Sequence, residues 1–186
     1  MDNIYINKIL AGDTSAFRYL IQQYNDMAFT LAMSVLKDAF VAEEVVHDAF
    51  IKAFNALPKF RHNSKFSTWF YRIVVNEALK RNKKEETWKR NCFEISENDI
   101  QQTVEQLSES QQLEERKHYI QLILKLMSPK ESLALQLFYL NEYPIDEITN
   151  VTGWSVSNVK VILHRARKNF YTLMKKHIGN EIYQLL

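Results

Sequence analysis

Glycine and proline are scarce in this sequence, with three of each in 186 residues. An all-β fold needs such residues at a turn roughly every eight to twelve positions, so the shortage argues against all-β, and the helical periodicity described below makes all-α the expected class. Gly12, Gly153 and Gly179 stand far apart, which excludes a glycine-rich phosphate loop. Cysteine occurs once, as Cys92. It cannot close an internal disulfide, and a reducing compartment is expected. Together with His47, His62, His118, His164 and His177 it shows no metal-ligand spacing, so a metal centre is not expected and hydrolase or metalloenzyme chemistry is disfavoured. No run approaches the roughly 18 consecutive apolar residues of a membrane span. The start "MDNIYINKIL" lacks the basic end and apolar core of a signal peptide. The expectation is a cytoplasmic protein without membrane insertion.

One further absence is local. From Ile148 to Asn180 there is no Asp or Glu, yet Lys160, Arg165, Arg167, Lys168, Lys175 and Lys176 all occur there. The whole chain carries a net charge of only +2, so the small total hides a pattern. Residues 1–51 hold seven acidic and three basic residues, whereas 52–84 hold nine basic residues against Glu77 alone. Residues 85–115 return to nine acidic against two basic. Two basic blocks thus alternate with two acidic ones, a distribution suited to two separated contacts with a polyanion.

What is present is helical periodicity. Phe17, Leu20, Ile21, Tyr24, Met27, Ala28, Leu31 and Val35 recur at steps of three and four, which predicts one amphipathic helix behind a cap at Asp13 or Thr14. Val45, Val46, Ala49, Phe50, Ala53, Phe54 and Leu57 predict a second, stopped by Pro58. After the loop "PKFRHNSKFS" a third is expected to start at Ser67 or Thr68, with Trp69, Phe70, Ile73, Val74 and Leu79 inward and a basic tail. Residues 85–112 are rich in Glu, Gln, Asn and Ser without a sustained period and read as a linker. Structure is expected to resume with "LEERKHYIQLILKLM", followed by a helix capped by Ser128 with Pro129 in its first turn. Leu133, Leu135, Leu137, Phe138 and Leu140 are assigned to its core. Two small helical domains result, at 1–84 and 113–178, joined by a polar acidic linker and followed by a tail at 179–186.

The acid-free stretch lies at the end of the second domain. Ile145, Ile148 and Val151 form one side of a short helix, and Gly153 suits a left-handed turn position. Ser155 can cap the next helix, whose buried stripe is Val156, Val159, Ile162, Leu163, Ala166, Phe170 and Leu173. Ser157, Asn158, Lys160, Val161, His164, Arg165 and Lys168 remain outside. A short helix, a glycine turn and a longer cationic helix match the helix-turn-helix motif, whose second helix enters the major groove. A carboxylate there would repel phosphate, so the missing acids are the mark of a helix that lies against DNA.

Three segments then carry a family resemblance. "AEEVVHDAFIKAFNAL", "KFSTWFYRIVVNEALKR" and "SPKESLALQLFYLNEYPIDEITNVTGWSVSNVKVILHRARKNF" occur in that order around the polar linker. The chain resembles a bacterial RNA polymerase sigma factor of the extracytoplasmic-function group, in the sigma-70 family. The resemblance implies a non-enzymatic protein that needs no cofactor and binds core RNA polymerase through the clamp coiled coil and the flap. Its N-terminal domain would recognise and melt the −10 element of promoter DNA, and its C-terminal domain would read the −35 element. An anti-sigma factor is the expected regulator.

On this resemblance, Asp38, Glu43, Glu44, His47 and Asp48, with Phe50 or Ile51, form the polymerase-facing set. Arg61, His62, Asn63, Ser64 and Lys65 supply the stacking, amide and cationic groups that one unstacked base needs. Arg72, Asn76, Lys80, Arg81, Lys83 and Lys84 are assigned to the upstream −10 DNA. Ser155, Ser157, Asn158, Lys160, Val161, His164, Arg165 and Lys168 are assigned to the −35 duplex. His47 stands where the family often has Gln, Lys80 where it usually has Asp, and Asn141 where it often has Gly. The rival readings are a polymerase-independent helix-turn-helix regulator, which would need a dimer face, and a helical interaction module with incidental basic faces.

Overall fold

The computed structural model describes residues 1–91 and 119–178. Most of the segment read as a linker, and all of the tail at 179–186, lie outside those residues. The described residues are helical throughout their regular elements. They comprise α1 (Asp2–Leu10), α2 (Phe17–Leu36), α3 (Ala39–Ala56), α4 (Phe66–Asn91), α5 (119–126), α6 (Pro129–Leu135), α7 (Ile145–Thr152) and α8 (Val156–Ile178).

Helices α2, α3 and α4 pack mutually into a bundle. Their contact is close because the facing positions are small: Ala28, Ala32, Ala42, Ala49, Ala53 and Ala78 are fully buried. Larger rings fill the space left over. Phe70 has no exposed surface and stacks on Phe50 at a centroid distance of 4.4 Å. The Tyr24 ring sits 5.3 Å from that of Phe66. Asp38 caps α3, its carboxylate accepting a hydrogen bond from the Val41 N–H at 3.0 Å. Lys37 ends α2 in the left-handed region at φ 63°, a conformation usually left to glycine.

Several sequence expectations need correction. Helix α1 is an addition to the sequence reading: of Ile4, Tyr5, Ile6, Ile9 and Leu10 only Ile6 and Ile9 are buried, so its apolar residues do not mark one face. Tyr5 of α1 stacks on Tyr19 of α2, so α1 docks through an aromatic pair. Helix α4 starts at Phe66 and not at Ser67 or Thr68, because the Lys65 carbonyl already accepts the Trp69 N–H at 3.2 Å. It runs through Asn91.

In the second half, α6 and α7 pack on α8. Pro129 follows the Ser128 cap position as expected, but the Ser128 hydroxyl donates to Glu131 and accepts no backbone N–H. Helix α6 widens into a π-turn over Gln136–Leu140, with the Asn141 N–H bonded to the Gln136 carbonyl at 3.0 Å. The extra residue per turn shifts the helical phase, which puts Leu140 at the surface, 47% exposed, and not in the core. Val156 is likewise out of the expected stripe, 43% exposed in the first turn of α8. The left-handed residue of this connection is Glu142, at φ 54°, while Asn141 stays at φ −108°.

The two halves touch. Helix α7 lies against α4, and α6 against α2. Lys37 Nζ donates to the Leu124 carbonyl at 2.6 Å and Thr68 Oγ1 donates to Glu147 Oε1 at 3.2 Å.

Candidate nucleic-acid interface

The helix-turn-helix is built by three local choices. Gly153 adopts φ 73° and its N–H caps α7 on the Thr149 carbonyl at 2.8 Å. The Ser155 hydroxyl accepts the Asn158 N–H at 3.2 Å, satisfying one of the orphan donors at the start of α8. Val159, Leu163 and Ala166 are buried, and this stripe turns the opposite face outward. On that face Ser155, Ser157, Asn158, Lys160, Val161, His164, Arg165 and Lys168 are all exposed. Val161 presents apolar surface among polar groups, 47% exposed, which suits a thymine methyl in the major groove. Arg167 is on the same helix but is occupied: its Nε donates to the Tyr139 hydroxyl at 2.7 Å and its guanidinium lies over the Phe138 and Tyr139 rings.

A second cationic surface runs from the loop before α4 along that helix. Arg61, His62, Asn63, Ser64 and Lys65 are all exposed. His62 is held at φ 55°, with its ring 4.6 Å from Phe60. Phe60 in turn contacts Trp69 at 5.0 Å and Phe66 at 5.9 Å. Phe60 and Phe66 are core, as expected, and Trp69 is half-buried at its edge. The loop is therefore a polar rim on an aromatic base, a form that can hold an unstacked base. Arg72, Asn76 and Lys80 follow at four-residue steps and are exposed on one side of α4, with Lys83 and Lys84 beyond them. Arg81 leaves this row. It pairs with Glu44 and Glu85, each at 3.1 Å, and the hydrogen bond to Glu85 is the main cause of its raised pKa.

The third surface is acidic and belongs to α3. Glu43, Glu44, His47, Asp48 and Ile51 are exposed. Phe50 is not part of it: only 6% exposed, it lies against Phe17 and Phe70 in the core. Its neighbour Ile51, 48% exposed, takes the outward position. Asp38 serves as the α3 cap while remaining exposed. Sequence reasoning missed Phe40, which is 70% exposed in the first turn of α3. Its position two residues before buried Ala42 puts it on the opposite side of the helix from the buried stripe, and that phase was readable. Glu147 was missed as well, because its contact with Thr68 crosses 79 positions of sequence.

Two family models match the chain, Sigma-70 region 2 over residues 20–87 and Sigma-70, region 4 over residues 117–170. The chain is 27% identical over 170 residues to the ECF RNA polymerase sigma factor SigW of Bacillus subtilis, covering 88% of this chain and 91% of the relative. It is 39% identical over 77 residues to the RNA polymerase sigma-H factor of Pseudomonas aeruginosa, a match spanning 41% of this chain and 40% of that protein. Among solved structures, the fold is similar to the sigma factor RpoE crystallised with the anti-sigma factor NepR from Bartonella quintana, with a TM-score of 0.65 at 19% identity over 86% of this chain and 96% of that one. It is equally similar to CnrH in complex with the cytosolic domain of CnrY, with a TM-score of 0.65 at 20% identity over 94% of this chain and 97% of that one.

Proposed function

The chain belongs to the sigma-70 family as an alternative sigma factor of the extracytoplasmic-function group, and from that premise we propose how its three surfaces divide the work. The exposed face of α8 reads the −35 duplex. The cationic row Arg72, Asn76, Lys80, Lys83 and Lys84 follows the upstream −10 backbone, and Arg81 joins it when released from Glu44. The loop Arg61–Lys65 over Phe60 and Trp69 receives a base extruded from the melted strand. Melting costs a few kcal/mol per unstacked base, and capture in this loop offsets it. No covalent chemistry is involved; the protein is not an enzyme.

Glu43, Glu44, His47, Asp48 and Ile51, with Phe40 beside them, dock on the clamp coiled coil of core polymerase. An exposed aromatic ringed by charge is the composition of an interface anchor. The C-terminal half contacts the flap. Domain bounds near 84 and 113, a cytoplasmic setting and an anti-sigma partner complete the proposal, the last supported by the partner bound to the solved relative from Bartonella quintana.

The observation that carries this reading is the order of the two matched regions, each falling on a half with an exposed carboxylate-poor face. Run-off transcription with core polymerase, with and without the protein, on a library of randomised promoters tests it. Protein-dependent transcripts sharing two spaced elements are expected. A library without any such transcript would overturn the assignment.

A further inference from the structure

We infer that the cleft between α2 and the α5–α6 segment is a binding site for a small organic acid, a monocarboxylate with a short apolar chain. None of its lining residues belongs to the surfaces assigned to polymerase or DNA.

The cleft has a volume of about 230 Å³. At about 30 Å³ per water molecule it has room for roughly eight waters, so it suits a ligand smaller than those that fill drug-sized pockets. Phe29 and Met33 of α2 and Leu124 of α5 supply apolar walls. Lys37, just past α2, and Lys125 of α5 supply positive charge, and among the described residues the lining contains no carboxylate.

Lys37 is the cation in need of a partner. Burial holds its pKa down at about 8, and no neighbouring charge contributes to the shift. Its Nζ donates to the Leu124 carbonyl at 2.6 Å, which uses one of its three N–H bonds. Among the described residues no carboxylate pairs with it. Asp38, next in sequence, is taken by the Val41 N–H. Ser132 lies at the floor of the cleft, with no exposed surface and, among the described residues, no hydrogen-bond partner for its hydroxyl. An unbalanced buried ammonium and an unpaired buried hydroxyl are both costly. A carboxylate offers what each lacks, a negative charge for the one and an acceptor for the other.

The walls set the rest of the ligand. One buried ammonium balances one negative charge, since Lys125 is exposed and its field is screened by solvent. A polyanion would leave further charge against Phe29, Met33 and Leu124 at a high desolvation cost. A short hydrocarbon chain gains by covering them.

The test is methionine-methyl NMR of the full chain at neutral pH, with octanoate as the probe. Met33 reports the cleft, its signal identified by Met33→Leu, and Met1, 90% exposed, reports nonspecific contact. Below its micellar concentration, octanoate is expected to shift the Met33 methyl saturably and to leave Met1 unmoved. Lys37→Gln is expected to weaken the titration at least about tenfold, as loss of a buried charge partner does. Lys125→Gln should weaken it by about threefold or less, as at a surface pair. Acetate, which has the charge without the chain, and octylammonium, which has the chain with the opposite charge, should give no saturable shift. Thermal melts check that both variants stay folded; Lys37→Gln removes an unbalanced buried charge and should not weaken the fold. A Met33 methyl unmoved by octanoate, or moved no more specifically than Met1, would overturn the site. An undiminished titration in folded Lys37→Gln, or octylammonium binding as well as octanoate, would overturn the assignment of an acid as its ligand.

Discussion

Replacing Lys160 and Arg165 together by Ala should flatten the salt dependence of promoter binding by an amount that can be stated beforehand. Both side chains are exposed on the α8 face, and neither enters an ion pair among the described residues. Each is therefore free to meet a phosphate. Every phosphate contact on duplex DNA contributes about −0.9 to the slope of log affinity against log salt. Loss of two contacts reduces the slope by about 1.8. Between about 50 and 200 mM salt, the defect of the double variant then shrinks roughly twelvefold. The assay is anisotropy of holoenzyme on a labelled duplex carrying the −35 element, across that salt range. Stability should stay within about 0.5 kcal/mol of the parent, since exposed side chains away from caps and pairs are being shortened. Arg167→Ala supplies the control: its guanidinium is engaged with Tyr139 and Phe138, so the slope should not change. Parallel salt lines for the parent and the double variant would refute the placement of α8 on the phosphate backbone.

Three other outcomes are expected. Phe40→Ala should leave thermal stability unchanged, because the ring is 70% exposed. It should still weaken core polymerase binding by about 2 kcal/mol or more in a competition titration, as loss of an interface anchor does. Gly153→Ala should cost about 1 kcal/mol of stability in thermal melts, since φ 73° is a left-handed position that a Cβ disfavours. Stability should rise with pH and then fall. Burial holds the Lys37 pKa at about 8 against 10.5. The unfolded chain therefore binds the extra proton between those values, and the cost of burying the ammonium fades as pH climbs through them. Burial pushes the Tyr24 and Tyr71 hydroxyls well above 10.0, so above that pH the unfolded state loses protons first and stability declines. Melting temperatures from pH 7 to about 11 check both limbs. Lys37→Met should abolish the rise, and Tyr71→Phe should soften the fall.

Much of the architecture was legible because helical periodicity is a local signal. Apolar steps of three and four marked α2, α3 and α8, and Gly153 and Ser155 marked the turn and the cap that the structure contains. Where the pattern failed, the cause lay in long-range packing or in a broken helical phase. Helix α1 carries two buried residues and is held by the Tyr5–Tyr19 stack, a contact between two elements that periodicity within one helix does not report. Leu140 was assigned inward on α-helical spacing, and the π-turn carried it out. Phe50 and Ile51 are neighbours in sequence, so one of them had to face inward. The stripe Val45, Val46, Ala49, Phe50 and Ala53 already points to Phe50, and Phe17 and Phe70 meet it there.

The sequence by itself determined the helical class, the two basic blocks and the turn that aims α8 outward. Each of these follows from residue spacing and charge within a few turns of chain. Tertiary structure decided which cations are free and which are taken. Arg81 and Lys160 look alike in the sequence, but Arg81 is paired with Glu44 across the bundle while Lys160 is open to solvent. It also decided that Glu147 rests on Thr68 and Lys37 on Leu124. Such contacts join residues 79 and 87 positions apart, and only the packed helices bring those groups within hydrogen-bonding reach.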